Sequence, residues 1–355
     1  VAEIDVQDIY DEFSNGRMSP VAIQSFVRQA YQTWQSPAPA YLLLLGDGHY
    51  DYRMHTGLAN YPNFVPPYIA CVDPWLCEVA TDNAYVAISG NDTFPDLAGG
   101  RLPANTPDEA TRMVNKIISY ETAPPAGAWQ SGLIFVSDNW RAANGSPDDA
   151  GNFEAMNEAA ITHIPSQYTI RRVYYDPYPA DDAGESFRHR TPEDTTPAII
   201  SEVNSGALFL NYIGHAANTT WAHESILRAR DVGRNDVTLM SNGGKLPISL
   251  DMACLSGDFA DPQFTGIEAK LLGWGAGGTV AGCMVLDGVI KRNAKARLLR
   301  NGETVLEGRV ENIKRFAEDV AEVRTGYECG INLEGVNSGI EEGDVIEAFE
   351  MRQVK

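Results

Sequence analysis

The chain has 355 residues, 44% of them hydrophobic and 21% charged, an ordinary balance for a globular protein with room for two or three domains. Its formal net charge of −21 argues against broad nucleic-acid binding, which needs a positive surface. No apolar run approaches the length of about eighteen residues that a transmembrane helix requires, so no membrane partner is expected. The acidity is uneven. Residues 280–355 hold 11 basic and 14 acidic side chains, against 16 and 34 in residues 1–279. The first residues, Val1 to Val6, show neither a basic region nor an apolar stretch, so no signal peptide is visible. The chain reads as cut from something longer, which leaves its native compartment open.

In chain order, Ile23, Phe26, Val27, Ala30, Tyr31 and Trp34 follow helical spacing, and Tyr41 to Leu45 form an apolar strand closed by Gly46-Asp47-Gly48. The stretch from Tyr50 to Pro103, rich in Pro, Asp, Asn and Gly, predicts an irregular surface flank. Ala110, Met113, Val114, Ile117 and Ile118 mark a second amphipathic helix. Buried strands are predicted at 133–137, 168–174, 207–213 and 246–252, with helical patterns between several of them. Short apolar strands alternating with helices imply an α/β fold, a mostly parallel sheet covered on both faces. Beyond Gly277-Gly278 the pattern changes. Short strands at Ala296–Leu299, Thr304–Gly308, Cys329–Leu333 and Val345–Glu350, with turns at Asn301-Gly302 and Glu342-Gly343, read as a small all-β barrel. The predicted domains are 1–279, with a sub-boundary near 125, and 280–355.

Two predicted strands end on reactive side chains. Asn211-Tyr212-Ile213-Gly214 leads to His215, and Leu250-Asp251-Met252-Ala253 leads to Cys254. A thiol becomes a strong nucleophile as thiolate, and a nearby imidazole can take its proton. Ends of parallel strands are where α/β proteins assemble such sites. The small residues Gly214, Ala216 and Ala253 leave room for a substrate backbone. Taken alone, a cysteine and a histidine are more often buried structural residues.

Other signals carry less. Five cysteines lack metal-type spacing; Cys71 and Cys77 are the plausible disulfide pair, with two loop thiols as the equal alternative. Gly273, Gly275 and Gly278 match a dinucleotide spacing but close a helix instead of opening one. His223 and Glu224 lack a third metal ligand. Asp47, Asp51, Asp73, Asp82, Asp92 and Asp96 could supply oxygen ligands for calcium, or form a solvated acidic loop. No cofactor is required by the expected chemistry.

Residues 1–279 resemble the gingipain-like peptidases, the C25 family of the caspase-like clan. The resemblance runs through Asp8–Ala30, Tyr41–Gly48, Thr81-Asp82-Asn83, Gly90-Asn91-Asp92, Pro95–Arg101, Asn211–His215, Trp221, Ala253-Cys254 and Gly257-Asp258-Phe259. It implies a caspase-like fold and a cysteine endopeptidase acting on peptide or protein substrates. Cys254 would be the nucleophile and His215 the proton acceptor, with an oxyanion hole from the backbone N–H groups of Ala216 and Cys254. Asp138 would be an acid orienting His215, with a surface carboxylate as the alternative. Asn152 and Trp221 would contact substrate. Two departures stand out: Ala216 replaces the Gly that usually follows the histidine, and Asn152 falls where arginine-specific members carry an acid. A basic P1 preference is therefore not implied. The resemblance also implies work outside the cell or at its surface, and occasional calcium.

Residues 280–355 resemble the C-terminal domain of bacterial translation initiation factor two. The match runs through Ala281–Val285, Asp287–Lys295, Lys314-Arg315-Phe316, Gly326–Gly330 and Glu342–Ala348. It implies a barrel that holds the formylmethionyl end of initiator tRNA, through Cys283, Lys314, Arg315, Phe316, Glu328, Cys329 and Gly330, and a cytoplasmic setting. Lys and Arg suit phosphate and Phe suits base stacking. The chain has no P-loop. Gly278-Thr279-Val280-Ala281 fits both families, so the chain reads as a chimera joined at a shared strand. The peptidase segment that should follow that strand is missing, and weak or absent cleavage is expected. A tRNA-binding protein and a non-catalytic surface module are the alternatives.

Overall fold

The computed structural model describes residues 1–57, 62–73, 77–178, 184–229, 235–262, 280–300, 302–315, 318–333 and 344–349. Helices α1 (Val6–Ser14) and α2 (Pro20–Thr33) open the chain. Asp5 and Ser19 cap them by accepting from first-turn N–H groups, and Pro20 sits where its missing N–H costs nothing. Strand β1 (Tyr41–Leu45) follows, then an antiparallel hairpin, β2 (Ile69–Asp73) and β3 (Cys77–Ala80), bridged by the Cys71–Cys77 disulfide. Strand β4 (Ala98–Leu102) returns to pair with β1 in parallel. Ile9, Tyr10, Ile23, Val27, Leu44, Tyr85 and Val86 fill a first core beneath this pair. The 50–103 flank is thus more ordered than expected. Its strands are only four or five residues long, too short to leave a periodic trace; the disulfide and strand pairing supply the order.

Helix α3 (Pro107–Thr122) extends the amphipathic run expected at 110–118, started by Thr106 accepting from Glu109 N–H. The central sheet then forms from β5 (Gly132–Ser137), β6 (Thr169–Tyr175), β7 (Arg188–His189) and β8 (Phe209–Ile213). A small antiparallel sheet follows, β9 (Ala216–Ala217), β10 (Thr220–Trp221) and β11 (Leu227–Arg228), and β12 (Ile248–Met252) completes the large one. The order is β12-β8-β5-β6-β7, with every pair parallel. All of β5 is buried. Its Ile134 and Val136 join Val173, Ile199 and Val203 on the face covered by α5 (Pro192–Ser205). Leu133 and Phe135 point to the opposite face with Ile161, the last residue of α4 (Phe153–Ile161). This two-faced burial is why the strand reads as an unbroken apolar run. Gly206 lies at φ +86, and a Cβ there would come within 2.6 Å of Lys245, so the sharp exit from α5 into β8 needs glycine.

The C-terminal region is all antiparallel. It contains β13 (Val280–Met284), β14 (Val289–Lys291), β15 (Lys295–Arg300), β16 (Glu303–Arg315), β17 (Glu318–Asp319), β18 (Glu322–Arg324), β19 (Glu328–Leu333) and β20 (Val345–Phe349). A six-stranded sheet carries the path β13-β19-β16-β15-β20, with β17 on β16, and β14 pairs β18. Ala296, Leu298, Val310, Ile313, Cys329 and Ile331 form its core. This is the β-barrel type of region expected. Among the described residues no helix is long and apolar enough to cross a membrane.

Candidate active site

Strands β8 and β12 run side by side with Ile213 opposite Met252. His215 and Cys254 each lie two residues beyond that pair, so adjacent parallel strands, about 4.8 Å apart, deliver imidazole and thiol to one rim. The Gly214 N–H still reaches Met252 O at 3.4 Å. Cys254 is an exposed thiol.

The backbone of His215 is pinned. Its N–H donates to Asp138 Oδ2 at 3.1 Å, and its carbonyl accepts from Tyr212 Oη at 2.6 Å and from the Ala222 N–H at 2.7 Å. Its ring is equally held. Nε2 lies 2.9 Å from Asp148 Oδ2, and the ring meets Phe153 edge-to-face at 5.3 Å. Burial works to raise the Asp148 carboxyl, but hydrogen bonds from the His215 ring and the Ala150 N–H outweigh it and hold it below the usual carboxylate range. Asp148 therefore presents a charged carboxylate to the ring.

Asp138 was expected to orient the imidazole. Its hydrogen bond goes to the main chain of His215, because it directly follows β5 against the Gly214 turn and is almost fully buried. Burial pushes its carboxyl up to about 7, against the opposing pull of the His215 and Asn139 N–H groups. A Cβ on Gly214 would fall 2.4 Å from Asp138 Cβ. Gly214 is thus small to admit Asp138 and Tyr212 rather than a substrate.

The other expected positions separate. Trp221 is fully buried, stacked on Tyr212 at 4.3 Å, with its indole N–H on Asp251 Oδ2 at 3.0 Å. It packs in the core beneath the His215 turn. Asn152 is the N-cap of α4, its Oδ1 accepting from the Ala155 N–H at 2.9 Å. That cap places Phe153 under the His215 ring. Ala216 begins β9, the edge of its small sheet. Because Ala222 donates to His215 O, pair alternation makes Ala216/Trp221 a non-hydrogen-bonded pair, and the Ala216 N–H points away from β10.

Two contacts that sequence reasoning passed over tie the site together. Asn218, at the tip of the β9–β10 turn, donates to Asp258 Oδ2 at 2.9 Å, linking the histidine loop to the cysteine loop. Phe259 then stacks on the guanidinium of Arg101 at 4.4 Å. Arg101 in turn pairs with Asp82 and donates to the Gly46, Val65 and Pro66 carbonyls. Asp82, Arg101, Asp258 and Phe259 all belong to the matched runs, so the motif order was the signal available.

Several of the acids considered for calcium accept hydrogen bonds from N–H donors. Asp47 takes Gly48 and Asn105, Asp51 takes His55 and Thr56, Asp92 takes Phe94, and Asp96 takes Ile88 and Ser89. The Asp73 side chain lies outside the described residues. Among the described residues no group of three or more His, Cys, Asp or Glu side chains could hold a metal. In the C-terminal region Cys283 and Cys329 face each other across β13 and β19, with Gly330 beside Cys329. Glu328 is exposed. Phe316 and the side chains of Lys314 and Arg315 lie outside the described residues.

A parallel sheet presenting a thiol and a carboxylate-held imidazole from neighbouring strand ends is the frame of an α/β cysteine peptidase. A model of peptidase family C25 matches residues 1–291, and the chain belongs to that family. A model of elongation factor Tu domain 2 matches residues 278–347. Among solved structures, gingipain R (RGPB) is 16% identical, covering 97% of this chain and 94% of that one, with a TM-score of 0.48. The complex of Porphyromonas gingivalis RgpB pro- and mature domains is 17% identical over 97% and 96%, also with a TM-score of 0.48. Translation initiation factor IF-2 of Persephonella marina is 58% identical over 78 residues, 22% of this chain and 9% of that protein. IF-2 of Thermus thermophilus is 56% identical over 78 residues, 22% of this chain and 14% of that protein. The chain thus spans only a small fraction of these relatives' length.

Proposed function

We propose that residues 1–279 form a cysteine endopeptidase unit in which Cys254 attacks the peptide carbonyl and His215 handles the proton. The observation that carries this is the His215–Asp148 contact of 2.9 Å at the end of β8, next to the strand that leads to Cys254. Asp148 holds the ring and stabilises the imidazolium formed when the thiol gives up its proton. The thiolate then forms a thioester with the acyl half of the substrate. His215 returns the proton to the leaving amine, and water hydrolyses the thioester. The N–H groups of Ala216 and Cys254 are the donors for the oxyanion.

Cleavage by this chain is expected to be weak. Strand β13, which both family patterns claim, pairs with β19 in the C-terminal region, and among the described residues β12 is an edge of the central sheet. By the family resemblance, the peptidase segment that should follow the shared strand gives way to the IF-2-like region, which is the ground for expecting weak cleavage. The test is the alkylation rate of Cys254 near pH 6, in the native chain and in His215→Ala. A slowing of about tenfold or more supports an assembled thiolate–imidazolium pair; equal rates refute it.

The likeness to IF-2, 58% and 56% identical over 78 residues with two relatives, supports a second reading, binding of formylmethionyl initiator tRNA. Such binding should weaken as salt is added. The peptidase unit would belong outside the cell and the barrel in the cytoplasm. A chimera at the shared strand accounts for both signals in one chain.

A further inference from the structure

Cys283 and Cys329 are directly opposite in the antiparallel β13–β19 ladder, with Gly282 facing Gly330 and Met284 facing Glu328 on either side. Opposed residues in such a ladder share a face, with Cα atoms about 4.5–5.5 Å apart. Disulfides span Cα separations of about 4.4–6.8 Å, so the strand spacing at this pair is within the range a disulfide bridges. Both are thiols here. Cys329 is buried among Val285, Leu298, Ile313 and Ile331, and half-buried Cys283 packs against the same cluster.

We infer that Cys283 and Cys329 form a modification site, a cross-strand dithiol that small-molecule disulfides convert into an intrachain disulfide. The chemistry balances without a further oxidant. The more accessible Cys283, as thiolate, attacks one sulfur of the small disulfide, breaks its S–S bond and expels one thiolate. Cys329 then attacks the Cys283 sulfur and expels the second. One small disulfide is reduced to two thiols, which take up the two cysteine protons, as the protein pair is oxidised. The difference in burial sets the order, outer thiol first and inner thiol resolving. Burial also pushes the Cys283 thiol up to about 11, with Cys329 beside it adding to the shift. The exchange is accordingly slow at neutral pH and accelerates by about tenfold per pH unit below that value. Closing the bond consumes both thiols of the pair, half-buried Cys283 and buried Cys329, at positions the IF-2 likeness assigns to its ligand. The inference stands on strand register and does not depend on the peptidase reading.

The test uses the full chain carrying Cys254→Ala, which removes the exposed competing thiol, incubated with oxidised glutathione at pH 7, 8 and 9. Peptide mapping without reduction should show Cys283 and Cys329 joined, with the mass of two hydrogens lost and a rate rising about tenfold per step. Cys329→Ser should stop at a glutathione adduct on Cys283. A stable adduct on Cys283 in the parent chain, with no joined peptides, would overturn the inference. So would the absence of any reaction in the folded chain under conditions where the urea-unfolded chain reacts.

Discussion

His215 is fixed by its main chain and its ring through two different carboxylates, and these should fail differently. Asp148→Asn keeps the shape but removes the charge facing Nε2, so Cys254 alkylation near pH 6 should slow by about tenfold while the unfolding midpoint stays within error. Asp138 acts on stability. Its carboxyl is raised from the ordinary 3.8 to about 7, chiefly by burial, so between those values the native chain binds a proton that the unfolded chain has released. Stability therefore falls as pH rises through that window, by on the order of 4 kcal/mol for a shift of this size. Urea denaturation at pH 5 and pH 8 checks this, and Asp138→Asn should flatten the difference. Trp221 carries structural weight of a third kind. Truncating this fully buried ring to Ala should cost about 3–5 kcal/mol, read by the same denaturation.

Between elements, the site depends on how the cysteine loop is tethered. The segment Gly257–Ala260 touches three parts of the molecule: Asn218 through Asp258, Arg101 through Phe259, and the Tyr50 N–H through the Ala260 carbonyl at 3.0 Å. Arg101 is the hub, a nearly buried cation whose fork is shared between Asp82 and three backbone carbonyls. Arg101→Ala leaves Asp82 without its partner and should destabilise the fold by about 3 kcal/mol. It should also speed proteolytic nicking after Phe259, which limited digestion would reveal. Arg101→Lys should rescue little, because a point charge cannot replace a planar fork.

At the scale of the whole molecule, the segment that both family models match, residues 278–291, contains a strand that can pair only once along each edge. Strand β13 lies against β19. Among the described residues the central sheet ends at β12, with Ile248, Leu250 and Met252 exposed. Peptide hydrolysis by the purified chain should stay near background even when Cys254 is reactive; robust cleavage that disappears in Cys254→Ala would overturn this expectation. The acidic excess lies in residues 1–279, so any tRNA binding by the barrel must overcome repulsion from the rest of the chain.

Local chemistry made much of this legible in advance. The unbroken apolar strands, the helix at 110–118 and the change of pattern near 279 follow from burial on two faces, one face or a barrel interior, which side-chain sequence records directly. Placing His215 and Cys254 at strand ends followed from the same patterns. What sequence left open is set by long-range geometry. Asp138 and Asp148 are both carboxylates near β5 in sequence, yet only the fold puts one under the His215 backbone and the other on its ring. That Trp221 is buried against Tyr212 and Asn152 caps a helix is likewise visible only in the packing, because residue type does not disclose direction. Cys283 and Cys329 are far apart in the chain, and only strand register sets them opposite each other. Side-chain pattern determines which elements form; the pairing of those elements decides which reactive groups meet.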